Sequence, residues 1–111
     1  MLPEDGYLLR IFIGESDKKD DISLYEWIVR RAKKEGLAGA TVLRGIEGYG
    51  GSSHIHTARI LQLSTDLPVV IELIDTLEKI EAFMPILEAV LEGGLVTQEK
   101  AKIRLFKTKN K

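Results

Sequence analysis

The sequence predicts an α+β fold whose elements run β-α-β-β-α-β. Two amphipathic helical segments, each flanked by short apolar strands, are the first observation behind that reading. The second is that glycine-rich breaks separate the segments. The third is a likeness between halves: each reads as a strand, a helix and a returning strand. That is the split βαβ, or ferredoxin-like, plan. It places a four-stranded antiparallel sheet under two helices on one face.

The first strand lies in YLLRIFIG, Tyr7 to Gly14. Leu9, Ile11 and Ile13 share one side; Leu8, Arg10 and Phe12 share the other. The polar run ESDKKDD then reads as a solvated loop, its Glu15, Asp17, Asp20 and Asp21 interleaved with Lys18 and Lys19. Ser23 and Glu26 have capping-box spacing, with the Ser23 hydroxyl expected to accept from first-turn N–H groups. Leu24, Trp27, Ile28 and Ala32 form the apolar stripe of a helix that stops at Gly36. The second strand runs from about Ala38 to Arg44. A strand of uncertain extent lies in TARILQLS. LPVVIELID is the clearest strand, with Val69, Ile71 and Leu73 opposed to Val70, Glu72 and Ile74. Asp75 or Thr76 caps the second helix, whose Leu77, Ile80, Met84, Leu87 and Leu91 keep helical spacing beside Phe83 and Val90. Pro85 removes one of its hydrogen bonds and is expected to bend it. Gly93 and Gly94 end it. The last strand lies within Leu95 to Phe106, with Lys100, Lys102 and Arg104 on one side and Ala101, Ile103 and Leu105 on the other.

A chain of 111 residues fits a single domain, residues 1–111. It has no cysteine, which excludes a disulfide framework and thiolate chemistry. No apolar run approaches the roughly 20 residues of a membrane span. The start, MLPEDGYLLR, has no basic stretch followed by a long apolar one, so the expected compartment is the cytoplasm. A net charge of −1 argues against general nucleic-acid binding. After Thr97, however, six Lys or Arg residues face one Glu, which reads either as a solvated tail or as a local anion site.

Helices cover one sheet face only, so the other face should be polar. Leu8, Phe12, Val70 and Ile74 contradict that. Apolar patches of this kind mark interfaces. A homo-oligomer closed by sheet-to-sheet packing is therefore expected.

The stretch LRGIEGYGGSSHIH, residues 43–56, carries four glycines, Gly45, Gly48, Gly50 and Gly51, within seven positions. Such a turn brings backbone N–H groups close to a ligand and can form an anion nest. Glycine-rich turns also occur between strands for no other reason. The spacing matches neither a Walker loop nor a dinucleotide fingerprint. His54 and His56 are two apart and would share a face in a strand; two imidazoles alone are short of a metal site. Ser52, Ser53 and Ser64 lie in no nucleophile elbow. A histidine general base for a small phosphorylated metabolite has no orienting carboxylate at a diagnostic spacing.

The blocks IFIGESD, GLAGATVLRGIEGYG, SSHIH, STDLPVVIELID and GGLVTQEK, in this order, resemble the domain-of-unknown-function 190 family from about Leu9 to Lys102. That family is grouped with P-II-like signalling proteins. The resemblance implies a ferredoxin-like domain in a compact trimer, with adenine nucleotides bound in clefts between subunits. Gly48-Tyr49-Gly50 is similar to the P-II turn that starts the regulatory loop after the second strand. Leu67-Pro68 is similar to the entry of the third strand, so the 17 residues between Gly50 and Pro68 would be the loop's counterpart. Lys102 and Arg104 resemble the basic residues that reach phosphates from the last strand. Where P-II proteins carry two further phosphate-binding lysines, this chain has Val69 and Leu95.

The implied function is a non-enzymatic sensor. Arg44, Lys102 and Arg104 would hold phosphate, and the backbone from Gly48 through Tyr49 and Gly50 to Gly51 would wrap the ligand. ADP or AMP fits the missing lysines at least as well as ATP, with or without Mg²⁺. The mobile loop, about 45–66, would be read by a protein partner, and the resemblance admits a membrane transporter or channel in that role. The alternative is a divalent-metal-binding trimer of the cation-tolerance type, with His54 and His56 as ligands.

Overall fold

The structure, a computed structural model, describes residues 5–49, 56–57 and 66–106. Its elements are β1 (Asp5–Gly14), β2 (Lys18–Lys19), β3 (Ile22–Ser23), α1 (Leu24–Lys34), β4 (Gly39–Arg44), β5 (Glu47–Gly48), β6 (His56–Thr57), β7 (Pro68–Asp75), α2 (Leu77–Val90) and β8 (Leu95–Lys102). The main sheet has the order β4-β7-β1-β8, and all of its pairs are antiparallel. With its two helices this is the expected α+β, ferredoxin-like arrangement.

The core follows from strand alternation. Leu9, Ile11 and Ile13 of β1 and Val69, Ile71 and Leu73 of β7 are buried beneath the helices. Leu24, Ile28 and Ala32 of α1 and Ile80, Phe83 and Leu87 of α2 close over them. Fully burying an aliphatic or aromatic side chain of this size stabilises the fold by roughly 1.5–3 kcal/mol. Leu77 keeps the helical spacing but is exposed, and Phe83 is the large buried side chain of α2. Tyr25 and Trp27 are partly buried and pack against the core.

Local chemistry departs from expectation at three places. Ser23 is the N-cap of α1, but its side chain makes no capping hydrogen bond. The run after β1 is not plain loop: β2 and β3 pair as a small hairpin. Its turn residues Asp20 and Asp21 have positive φ, 53° and 67°, the backbone a type I′ turn demands. The second helix ends at Val90, with Leu91 as C-cap, before the glycines are reached. Gly94 then takes φ 101°, and a Cβ there would lie 2.5 Å from the Phe12 carbonyl oxygen. Thr76 caps α2 as one of the two expected candidates, its hydroxyl accepting from Lys79 N at 3.3 Å. Pro85 lies inside α2, where its nitrogen has no hydrogen for the Glu81 carbonyl.

Asp75 is the buried carboxylate of the described core. Its two oxygens accept from Ala38 N at 2.8 Å and Thr76 N at 2.6 Å. One side chain thus ties the approach to β4 to the start of α2.

On the face away from the helices, the register aligns three rows of side chains. Leu43, Val70, Phe12 and Leu95 form an apolar row across all four strands. Ile74 and Leu8 form a shorter one. Between them Arg10 donates to Glu72 at 3.0 Å and also pairs with Glu99. The hydrogen bonds that Arg10 donates to Glu72 and Glu99 hold its guanidinium above its usual range. Leu43 and Leu95 are each about half exposed, at 51%. The patch foreseen from Leu8, Phe12, Val70 and Ile74 is therefore present and extends to both edge strands. Among the described residues, no helix is long and apolar enough to cross a membrane.

Candidate functional site

The glycine-rich stretch leaves the sheet at the end of β4. Gly45 N donates to Pro68 O at 2.7 Å. A Cβ on Gly45 would lie 2.9 Å from Pro68 Cγ, so the close approach of the two chains there requires glycine. Glu47 then pairs with Thr57 and Gly48 with His56, so the two arms of the stretch meet again just above the sheet. Tyr49 is 72% exposed at the head of this small ladder. Gly50, Gly51 and His54 lie outside the described residues, as does the side chain of His56 and most of the strand read in TARILQLS.

Arg44 is the last residue of β4, opposite Val69. Its guanidinium is exposed and pairs with the carboxylate of Glu15, just beyond the end of β1. Glu15 N in turn donates to Leu67 O at 2.8 Å, and Ser16 N donates to Asp66 Oδ1 at 2.7 Å. Asp17 Oδ2 accepts from Gly14 N at 3.2 Å. Gly14 leaves room for Asp66: a Cβ there would stand 2.3 Å from Asp66 Oδ2. The turn after β1 therefore holds both arms of the glycine-rich segment, the entry arm through Arg44 and the exit arm through Asp66.

Lys102 and Arg104 stand elsewhere. Lys102 is the last residue of β8 and pairs in register with Asp5, its Nζ 3.8 Å from Asp5 Oδ1. Arg104 follows on the exposed chain beyond β8. Beside them a cleft of about 420 Å³ is lined by Tyr7, Lys100 and Lys102 together with Asp5, Gly6 and Ala101. A cavity of about 310 Å³ between the helices, lined by Leu37, Phe83 and Ile86 among others, contains none of the candidate residues.

One chain does not bring the candidate residues together. The register puts Arg44 level with Val69 and Ile13, and Lys102 level with Asp5. Those levels are eight strand steps apart, about 27 Å at roughly 3.4 Å per residue. They also lie on opposite edges of the sheet. Arg44, Gly48 and Tyr49 form one group, and Lys102 and Arg104 another. Of the two positions without the P-II lysine, Val69 is buried in the core and Leu95 belongs to the apolar open-face row. Among the described residues, no group of three or more His, Cys, Asp or Glu side chains is arranged to hold a metal ion.

From sequence Glu15 reads as part of a solvated loop, and Asp66 carries no signal of its own. Both sit in polar runs that look solvated, and nothing local marks either as a partner of a residue 29 or 50 positions away.

The family model for domain of unknown function 190, described as uncharacterized ACR, matches residues 6–103. A UPF0166 protein of Aquifex aeolicus (strain VF5) is 41% identical over 96 residues, covering 86% of this chain and 90% of that one. A UPF0166 protein of Methanocaldococcus jannaschii is 39% identical over 90 residues, covering 80% and 82%. Among solved structures, CPII from Thiomonas intermedia K12 bound to ADP and bicarbonate superposes with a TM-score of 0.59 at 19% identity, covering 89% of this chain and 88% of that one. The same protein, described as a nitrogen regulatory PII-like protein, bound to ADP, AMP and bicarbonate, gives 0.56 at 19%, covering 90% and 96%. At that identity the likeness is one of fold.

Proposed function

The chain belongs to the domain-of-unknown-function 190 family, and from that premise we propose that it is a P-II-like regulatory protein, not an enzyme, acting as a homotrimeric single-domain sensor of an adenine nucleotide. The observation that carries the reading is the separation of the two candidate groups. Arg44 with the Gly48–Tyr49 backbone, and Lys102 with Arg104, face different ends of one sheet. A ligand that uses both must lie between two copies. The apolar open face supplies a reason for copies to assemble, because its Leu43–Val70–Phe12–Leu95 row is otherwise left against water.

In this reading Arg44 of one protomer and Lys102 and Arg104 of the next hold the phosphates. Charge-assisted hydrogen bonds are the strong ones, and arginine matches phosphate in a bidentate fork. Backbone at Gly48 to Gly51 wraps the ligand. Val69 and Leu95 contribute no charge, so a ligand of fewer phosphates, ADP or AMP, is favoured over ATP. The fold-related CPII structures hold ADP, and one of them also AMP, which supports the same ligand class. Regulation requires only that the nucleotide bind two states of the 45–66 loop with different affinity, a protein partner then reading the loop.

Calorimetric titration of ATP, ADP and AMP into the protein, with and without Mg²⁺, tests the proposal. Binding tighter than about 100 μM, or roughly −5.5 kcal/mol, supports it, and Arg104→Ala then weakens that binding. Absence of binding by all three overturns it.

A further inference from the structure

Resting on the nucleotide reading, we propose that Glu15 is a built-in competitor for the phosphate, so that Arg44 exchanges Glu15 for ligand when the site fills. The observation is the Arg44–Glu15 pair at the mouth of the glycine-rich stretch. Arg44 is the cation nearest in sequence to the Gly48–Tyr49 turn, and its guanidinium already holds a carboxylate. An anion arriving there meets a neutralised site.

The surroundings make the exchange a side-chain event. The backbone of both arms is held independently of the pair, through Gly45 N to Pro68 O, Glu15 N to Leu67 O and Ser16 N to Asp66 Oδ1. Breaking Arg44–Glu15 therefore leaves the arms pinned. Both partners are also open to solvent, with side-chain exposures of 62% for Arg44 and 29% for Glu15. Such a pair contributes little to stability, so it is readily given up to a phosphate group of higher charge. The released carboxylate stays on the turn Gly14–Asp17, to which the exit arm is tied through Asp66. Filling the site thus uncovers one negative charge at the base of the loop, next to the anchor of its far arm. Glu15 raises the ligand concentration at which the site fills, and its release marks the filled state.

The test is calorimetric titration of ADP into the wild-type protein, Glu15→Gln, Arg44→Ala and the double variant. The Gln side chain keeps the shape and the backbone bond to Leu67 while removing the charge. Glu15→Gln is expected to bind ADP about two- to fivefold more tightly, the range an exposed ion pair spans. That gain should vanish when Arg44 is also alanine. Thermal unfolding of each variant checks that the fold is intact, and Glu15→Ala serves as a second neutral replacement if Gln perturbs it. ADP binding of equal strength in wild-type and Glu15→Gln overturns the competition and leaves the nucleotide reading standing. So does a gain that persists without Arg44. If neither protein binds ADP, both the competition and the nucleotide reading fall.

Discussion

Arg44 and Lys102 stand at opposite ends and on opposite edges of the same four-stranded sheet, about 27 Å apart along the strand direction at roughly 3.4 Å per residue. Two residues so placed serve one small ligand only if a second copy carries one of them to the other. Most of what can be tested about this protein follows from that separation.

The first consequence is complementation between defective chains. Arg44→Ala and the double variant Lys102→Ala/Arg104→Ala should each bind ADP roughly 10- to 100-fold more weakly, the loss of charge-assisted hydrogen bonds. Unfolded and refolded together, they should form mixed assemblies of the proposed trimer. About a quarter of the interfaces then hold an intact Arg44 opposite an intact Lys102 and Arg104, for random assembly on a closed ring. Calorimetry should report that fraction of full-affinity sites. No recovery in a confirmed mixed assembly would place the site within one chain.

The proposed assembly relies on the open sheet face. Phe12 lies at the centre of the row that crosses all four strands and faces away from the helices. Phe12→Glu puts a charge into that row while leaving the core on the opposite side untouched. Light scattering should show monomers in place of the trimers proposed for the wild-type protein, with the circular dichroism spectrum retained. A variant that stays trimeric would remove this face from the interface.

Stability, in contrast, turns on Asp75. Its carboxylate is buried and accepts from Ala38 N and Thr76 N. Asp75→Ala strands both donors, each at a cost of about 1–3 kcal/mol. Urea unfolding should show a lower midpoint at nearly unchanged slope, with an extrapolated loss of about 2–6 kcal/mol for the two donors together. Asp75→Asn keeps one good acceptor and should lose less.

The histidines separate the nucleotide reading from the metal one. Zn²⁺ or Cu²⁺ titrated into the wild-type protein and into His54→Ala/His56→Ala should give the same weak response. Tight binding that disappears in the double variant would make the chain a metal-binding trimer instead. ADP affinity is expected to change little in that variant.

What the sequence alone determined is the fold, and it marked one group of the candidate site. Leu9-Ile11-Ile13 and Val69-Ile71-Leu73 carry a period of two, and Leu24-Ile28-Ala32 a helical one, and these buried faces appear as read. Periodicity is local, so it survives being read without neighbours. Arg44, Gly48 and Tyr49 were legible for the same reason, as one short stretch with unusual composition. The details that failed were set by small energies: the Ser23 hydroxyl forgoes its cap, and α2 stops at Val90 ahead of its glycines.

The tertiary structure decided the rest. Glu15 meets Arg44, and Asp66 meets Ser16, because β1, β4 and β7 are aligned in one register. Register is a property of pairs of strands, and neither polar run contains it. The same alignment joined Leu43 and Leu95 to the open-face row and separated Lys102 from Arg44. Ion pairs between distant segments have no period to betray them, since a charged side chain in a loop looks solvated until another segment is folded against it.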